Sequence, residues 1–151
     1  MLTAMSAVDR RLFLFIAVLA IIGIVVSSVS LQHHYAKSKT SYCDFGESFN
    51  CDLVNRSQYS SIAGLPVAGV GIAGYAVLLA FATLFRDKAE TPAILLIASL
   101  GGLAFALYLT YVEGFILQAW CILCLTSLTM ISSITLLSAA VLIRNLRRPR
   151  I

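Results

Sequence analysis

Charge is what this sequence has least of. Only 12% of its 151 residues are Asp, Glu, Lys or Arg, seven of them acids. A soluble domain carries about 25% charged residues to keep its surface wetted. Four stretches, residues 12–31, 62–85, 93–112 and 114–143, contain no charged side chain at all. That absence excludes an ordinary water-solvated fold, and a mean hydropathy of +0.92 names the bilayer as the solvent instead. At ~1.5 Å rise per residue each stretch, folded as a helix, crosses a hydrocarbon core of roughly 30 Å with its amides paired internally. The chain therefore reads as one domain, 1–151, an all-α integral membrane protein. The expected fold is a four-transmembrane-helix bundle with spans near 12–31, 65–85, 93–112 and 119–143 and an outer loop at 32–61.

Local chemistry marks the helix ends. Ser6 and Asp9 have capping-box spacing, and Thr91-Pro92 offers an N-cap oxygen followed by proline at the first helical position. Gly64-Leu65-Pro66 is expected to open the second span, and the basic cluster from Arg144 to Arg150 to end the fourth in water. Gly69, Gly71 and Gly74 permit close approach by a neighbouring helix, the favoured reading, or by a flat ligand.

Orientation follows from the basic residues. With an even number of spans, one side holds Arg10, Arg11, Arg86, Lys88, Arg144, Arg147, Arg148 and Arg150, and the other only Lys37, Lys39 and Arg56. The positive-inside rule makes both termini cytoplasmic and the 32–61 loop extracytoplasmic. The net charge of +4 is then a topology signal that calls for no nucleic acid. Arg10-Arg11 before an apolar run also resembles a twin-arginine signal, but the run of 20 residues is long for one and no A-x-A site clearly follows Ser30. The segment is read as a retained span.

Four cysteines carry the chemistry: Cys43 and Cys51, with seven residues between them in the outer loop, and Cys121-Ile-Leu-Cys124 at the outer end of the last span. All four fall in a compartment that permits disulfides, and two local pairs suit a dithiol/disulfide relay. A zinc site does not suit the C-x₇-C half. A structural staple is a fair reading of the loop pair, but closing so short a loop as the CxxC removes little unfolded-chain entropy. Trp120 belongs at the membrane interface, which puts Cys121 near headgroup level and Cys124 about a turn deeper. A CxxC at a helix N-terminus favours thiolate, and a thiolate beside hydrocarbon meets lipid-soluble oxidants. A quinone, of the ubiquinone or menaquinone type, takes the two electrons a dithiol gives. Depth assigns Cys121 to the exchange with the loop and Cys124 to the quinone, with the loop pair as the water-facing port for protein thiols.

These residues resemble the vitamin K epoxide reductase family over nearly the whole chain. The resemblance rests on Cys43-Asp44-Phe45-Gly46 leading to Cys51, Ser57, Gly64-Leu65-Pro66, Gly71 and Tyr75, and Trp120-Cys121-Ile122-Leu123-Cys124-Leu125-Thr126. It implies a four-helix bundle around a quinone pocket, with Ser57, Gly71, Tyr75 and Cys124 at the quinone side. It further implies that Cys43 meets the partner, Cys51 attacks inward, and Ser57 helps the loop serve the active site. Vertebrate members look to have Asn near the start of the second span and Tyr beyond the CxxC, where this chain has Val67 and Leu128. The Gly-Leu-Pro opening is more similar to bacterial homologues, which implies a bacterial inner-membrane thiol:quinone oxidoreductase supporting disulfide formation. No thioredoxin-like sequence follows Arg150, so a thioredoxin-fold thiol oxidase or other extracytoplasmic thiol protein is expected as a separate partner.

Two further readings fit the same residues: a vitamin K quinone/epoxide reductase proper, and a non-enzymatic tetraspan subunit with structural disulfides. His33 and His34 could ligate metal or move protons but read rather as interfacial histidines, and Glu113, ending the third span, could assist quinone protonation but reads rather as a solvated loop acid. Tyr35, Tyr42, Tyr108 and Tyr111 read as interfacial aromatics. The topology predicts that a membrane-impermeant thiol reagent outside intact cells labels Cys43 or Cys51 after reduction, while an introduced Arg147→Cys stays unlabelled. Labelling at position 147 alone would reverse the orientation.

Overall fold

The computed structural model describes residues 5–36 and 42–148; Lys37, Lys39 and Arg150 lie outside the described residues. Its frame is four apolar helices: α1 (Ala7–Tyr35), α3 (Val67–Thr83), α4 (Thr91–Tyr111) and α5 (Ile122–Arg147). A short helix, α2 (Cys51–Asn55), a 3-10 turn at Gln58–Ser60 and two small antiparallel ladders form a cap between α1 and α3. The ladders pair β1 (Asp44–Phe45) with β2 (Phe49–Asn50), and β3 (Ser61–Ile62) with β4 (Leu65–Pro66). Within the expected outer loop, the described residues 42–61 thus carry short strands and helical turns.

Outward faces are apolar. Leu14, Ile97, Leu107 and Leu136 are each more than half exposed, which in water would be a continuous liability and in lipid is ordinary solvation. Three helical stretches are long and apolar enough to cross a membrane: Ala7–Tyr35, Thr91–Leu117 and Ile122–Arg147. The helix α3 has 17 residues, about 25 Å at 1.5 Å per residue, two residues shorter at each end than the expected 65–85. The protein is an integral membrane protein.

Inside, Phe13, Ile16 and Ala20 of α1 meet Tyr75 and Leu78 of α3 and Ile134 of α5. The helices α1 and α3 pack closely, as do α4 and α5, and α1 also touches α5; α3 and α4 meet only lightly. Gly23 is where the tightest packing occurs, because a Cβ there would stand 2.5 Å from Tyr75 ring atoms. The ring cannot easily yield, since its hydroxyl is held by Ser127, at 2.8 Å from Oγ and 2.9 Å from the carbonyl oxygen.

Several end signals behave otherwise than the sequence suggests. Ser6 does cap α1, its Oγ accepting the Asp9 N–H at 3.2 Å. Asp9 itself is buried and turns to the far end of the chain, pairing with Arg144 at 3.2 Å and with Arg148. Two of the terminal arginines therefore join α1 to α5 instead of simply ending in water. Thr91 is the first residue of α4, and its hydroxyl donates to the Phe85 carbonyl instead of capping. Gly64-Leu65-Pro66 leads into α3 by way of a hairpin: Ala63 (φ +51°) and Gly64 (φ +81°) form the two-residue turn between β3 and β4, and α3 begins at Val67 with Pro66 as its N-cap. Two positive φ angles are what a right-twisted hairpin requires of such a turn.

The anchored Tyr75 ring predicts that Gly23→Ala lowers stability by about 1–3 kcal/mol through overpacking, outweighing the ~1 kcal/mol helix-propensity gain of alanine. Thermal unfolding in detergent checks this, and an unchanged or raised midpoint would refute it.

Candidate redox centre

The CxxC sits at a break between helices. Beyond Tyr111 the chain widens into a π-helical turn, Val112–Leu117, and closes at Gln118 in the left-handed region, φ +51°. The carbonyl of Glu113 accepts the N–H groups of Gln118 and Ala119 there, the latter at 3.1 Å. The chain then runs extended through Trp120 and Cys121 before α5 begins at Ile122. Cys121 is consequently the N-cap of α5 and only Cys124 lies within it, whereas the sequence placed both on one helical face.

The cap is stitched to this extended segment. Trp120 N–H donates to the Ser48 carbonyl at 2.9 Å, and Asn50 N–H donates to the Trp120 carbonyl at 3.1 Å, a parallel bridge around Phe49 and Trp120. Cys51 follows Asn50 and Cys121 follows Trp120, so the pairing delivers the two cysteines to one place. Cys43, Cys51, Val54, Ala119 and Cys121 form a single buried cluster, with Cys124 packed against it. Cys43 and Cys51 are disulfide-bonded with Cα atoms 5.6 Å apart, while Cys121 and Cys124 are free thiols. Both loop cysteines are only 1% exposed, so the expected water-facing port is closed in this state.

Asn55, which sequence reasoning passed over, stands between the pairs. Its Nδ2 donates to the Cys51 carbonyl at 2.9 Å and reaches the Cys121 sulfur at 3.7 Å, and its Oδ1 accepts from Ser30 at 2.6 Å. Nothing in sequence distinguished this residue from any other loop amide, because its partners lie on three different elements. The histidines are likewise more engaged than interfacial residues. His33 is 1% exposed between Asp52 (3.2 Å) and Tyr42 (2.8 Å), and His34 Nδ1 lies 2.6 Å from the Asn55 carbonyl oxygen. Both help moor α2 on the outer end of α1. Tyr35, Tyr42, Tyr108 and Tyr111 are exposed.

Behind the cysteines lies a cavity of about 400 Å³ enclosed by α1, α3, α4 and α5. Cys124, Ser57, Gly71 and Tyr75 all line it, and Cys121 does not. Gly71 also stands hard against α1, where a Cβ would meet Ser27 Oγ at 2.9 Å, so its smallness serves packing and cavity together. Ser57 Oγ donates to the Val54 carbonyl at 2.8 Å, fixing the end of α2. Glu113 is 1% exposed in the cavity wall, and its Oε2 accepts the Cys121 N–H at 3.1 Å. The solvated loop acid of the sequence reading is therefore a buried carboxyl at the redox pair, swung inward by the π-helical turn. Among the described residues no group of three or more His, Cys, Asp or Glu side chains is placed to hold a metal ion.

Residues 14–139, which include all four cysteines, match the Vitamin K epoxide reductase family. The chain belongs to that family. Membership accords with an integral membrane oxidoreductase working on thiols and disulfides, and with the pairing of a bonded and a free cysteine couple in one cluster.

The contact between Asn55 and the Cys121 sulfur predicts a kinetic role, since hydrogen bonds to charged groups contribute about 1.5–3 kcal/mol. Asn55→Ala should slow formation of a Cys51–Cys121 disulfide roughly ten- to a hundredfold in a Cys43→Ala/Cys124→Ala background under mild oxidation. An unchanged rate, followed by mass spectrometry of non-reduced digests, would remove the amide from the exchange.

Proposed function

We propose that this protein is a membrane thiol:quinone oxidoreductase that draws electrons from extracytoplasmic protein thiols and so supports disulfide formation. One observation carries the reading. Of the two CxxC sulfurs, Cys124 lines the apolar cavity while Cys121 is fully buried beside the loop disulfide. The two pairs thus have different neighbours, as a two-stage relay needs.

The cavity suits a lipid quinone. Its volume of about 400 Å³ lies in the usual range for sites of small organic ligands, its walls are largely apolar, and its polar groups gather at the cysteine end. Glu113 Oε1 has no hydrogen-bond partner among the described residues, so an unused polar atom borders the cavity. A bound quinone would supply the two-electron, two-proton acceptor that a dithiol requires. Cys124, Ser57, Gly71, Tyr75 and Asn55 are the residues proposed to hold it, and the light contact between α3 and α4 offers a lateral way in from lipid. Val67 lines the same cavity without a polar group, which favours a quinone over an epoxide that would need its oxygen gripped there.

The relay needs one sulfur to attack another at each stage. A partner thiol attacks Cys43, releasing the Cys51 thiolate; because the loop pair is buried, the β1–β2 hairpin must open first. Cys51 then attacks Cys121 of an oxidised CxxC, freeing Cys124 at the cavity; the partner's second thiol attacks its own sulfur in the mixed disulfide and leaves oxidised, and the Cys43 thiolate so released attacks Cys51, which restores the loop disulfide and leaves the CxxC as a dithiol. Asn55 lies where the charge moves, its amide shared between the Cys51 backbone and the Cys121 sulfur.

Four spans complete the proposal, with α3 as the shortest, both termini cytoplasmic and all four cysteines on the extracytoplasmic side of what we take to be a bacterial inner membrane. The chain acts as a single domain, with a thioredoxin-fold thiol oxidase or similar thiol protein as partner.

Cys43→Ala should stop oxidation of a protein partner yet spare quinone reduction by a small membrane-permeant dithiol, whereas Cys124→Ala should abolish both. Quinone bleaching with each reductant checks this. Equal loss in both assays for Cys43→Ala refutes the two-stage relay, and no bleaching by the unmodified protein refutes the reading itself.

A further inference from the structure

Two buried side-chain atoms lack a hydrogen-bond partner among the described residues, Ser138 Oγ and Glu113 Oε1. Ser138 does not border the cavity or the cysteines, but Glu113 borders both. We infer that Glu113 is the proton carrier of the CxxC, taking the proton from the Cys124 thiol and passing it to a carbonyl oxygen of the quinone; this rests on the thiol:quinone reading above.

The physical argument begins with cost. An ionisable group at membrane depth is expensive, and such groups persist where they move protons or bind ions. Glu113 is 1% exposed, so water does not offset that cost. Its Oε2 is occupied by the Cys121 N–H, which as the N-cap amide of α5 would otherwise be orphaned. Oε1 is left with lone pairs and no donor among the described residues, and Glu113 and Cys124 line the same cavity wall. Capping alone would need only an acceptor, which a neutral amide provides as well as a carboxyl does. The other titratable groups around the cavity are engaged or lie elsewhere. Tyr75 is bonded to Ser127, His34 faces the Asn55 carbonyl, and Tyr59 belongs to the outer cap.

The step balances. Oxidation of the CxxC breaks two S–H bonds and forms one S–S bond, releasing two electrons and two protons, all of which end on the quinone as it becomes the quinol. Glu113 takes the Cys124 proton as that sulfur becomes nucleophilic and gives it to one quinone oxygen. Emptied, it accepts the Cys121 proton for the other.

The test uses the full chain in detergent, reduced, with Glu113→Gln, which keeps an acceptor for the Cys121 N–H. The quinone-free readout is alkylation of Cys124 by N-ethylmaleimide at neutral pH, assigned by mass spectrometry. With the neighbouring carboxylate charge gone the variant should alkylate about tenfold faster, yet should reduce quinone more slowly by a factor on the order of 10²–10⁴, the usual range for a lost acid–base group. The thermal unfolding midpoint should match that of the unmodified protein, showing that the fold and the cap survive. Equal Cys124 alkylation in the two proteins overturns the assignment, as does a lowered unfolding midpoint in the variant, which would mark a structural role. Loss of quinone reduction in the unmodified protein would instead sink the functional reading, and the delivery to quinone with it.

Discussion

Two main-chain hydrogen bonds hold this architecture to its chemistry. They join Asn50 and Ser48 of the outer cap to Trp120, on the strand-like segment before α5. Backbone pairing has a register, so it specifies which residue comes next to which. Here the next residues are Cys51 and Cys121, and the buried cysteine cluster follows from that. Side-chain packing between a loop and a helix end would leave several ångströms of play, and disulfide exchange tolerates little.

The pairing requires an extended segment where a long helix would otherwise run on. The π-helical turn and the left-handed Gln118 supply it by ending α4's continuation and resetting the chain direction before Ile122. The same turn carries Glu113 inward, so one local irregularity produces the extended strand, the N-cap position of Cys121 and the buried carboxyl. π-helical turns widen the helix at the expense of regular hydrogen bonding, and they are found mostly where a site needs a side chain redirected. The turn faces both ways: Val112 and Glu113 are buried against the protein while Phe115 and Ile116 are exposed.

Around this centre the bundle is uneven. Close packing of α1 with α3 and of α4 with α5 leaves the cavity where the two pairs face each other, and small residues such as Gly71, Gly74, Gly101 and Gly102 line it. At the opposite end Asp9, Arg144 and Arg148 tie α1 to α5, so the ring is closed there. Rigidity at one end with space at the other is what a bundle needs to hold a flat apolar ligand against a thiol.

Much of this was legible in the residues alone. The absence of charge from four long stretches reveals a membrane protein because hydrophobicity is additive along a chain and needs no tertiary context. The two cysteine pairs with Trp120 marked the candidate redox centre, because Cys and Trp each have few other reasons to be where they are. What could not be read were the places where residues distant in sequence share one atom's environment. The pairing of Phe49 with Trp120, the reach of Asn55 to Ser30 and Cys121, and the burial of His33 and Glu113 depend on how the cap settles on the bundle. A carboxyl eight residues before the CxxC looks the same in sequence whether it faces water or sulfur. Composition and cysteine spacing determined the solvent and the proposed chemistry of this protein; only the tertiary structure decided which polar groups stand beside the sulfurs, because burial and hydrogen-bond partnership are properties of the packed whole and not of local sequence.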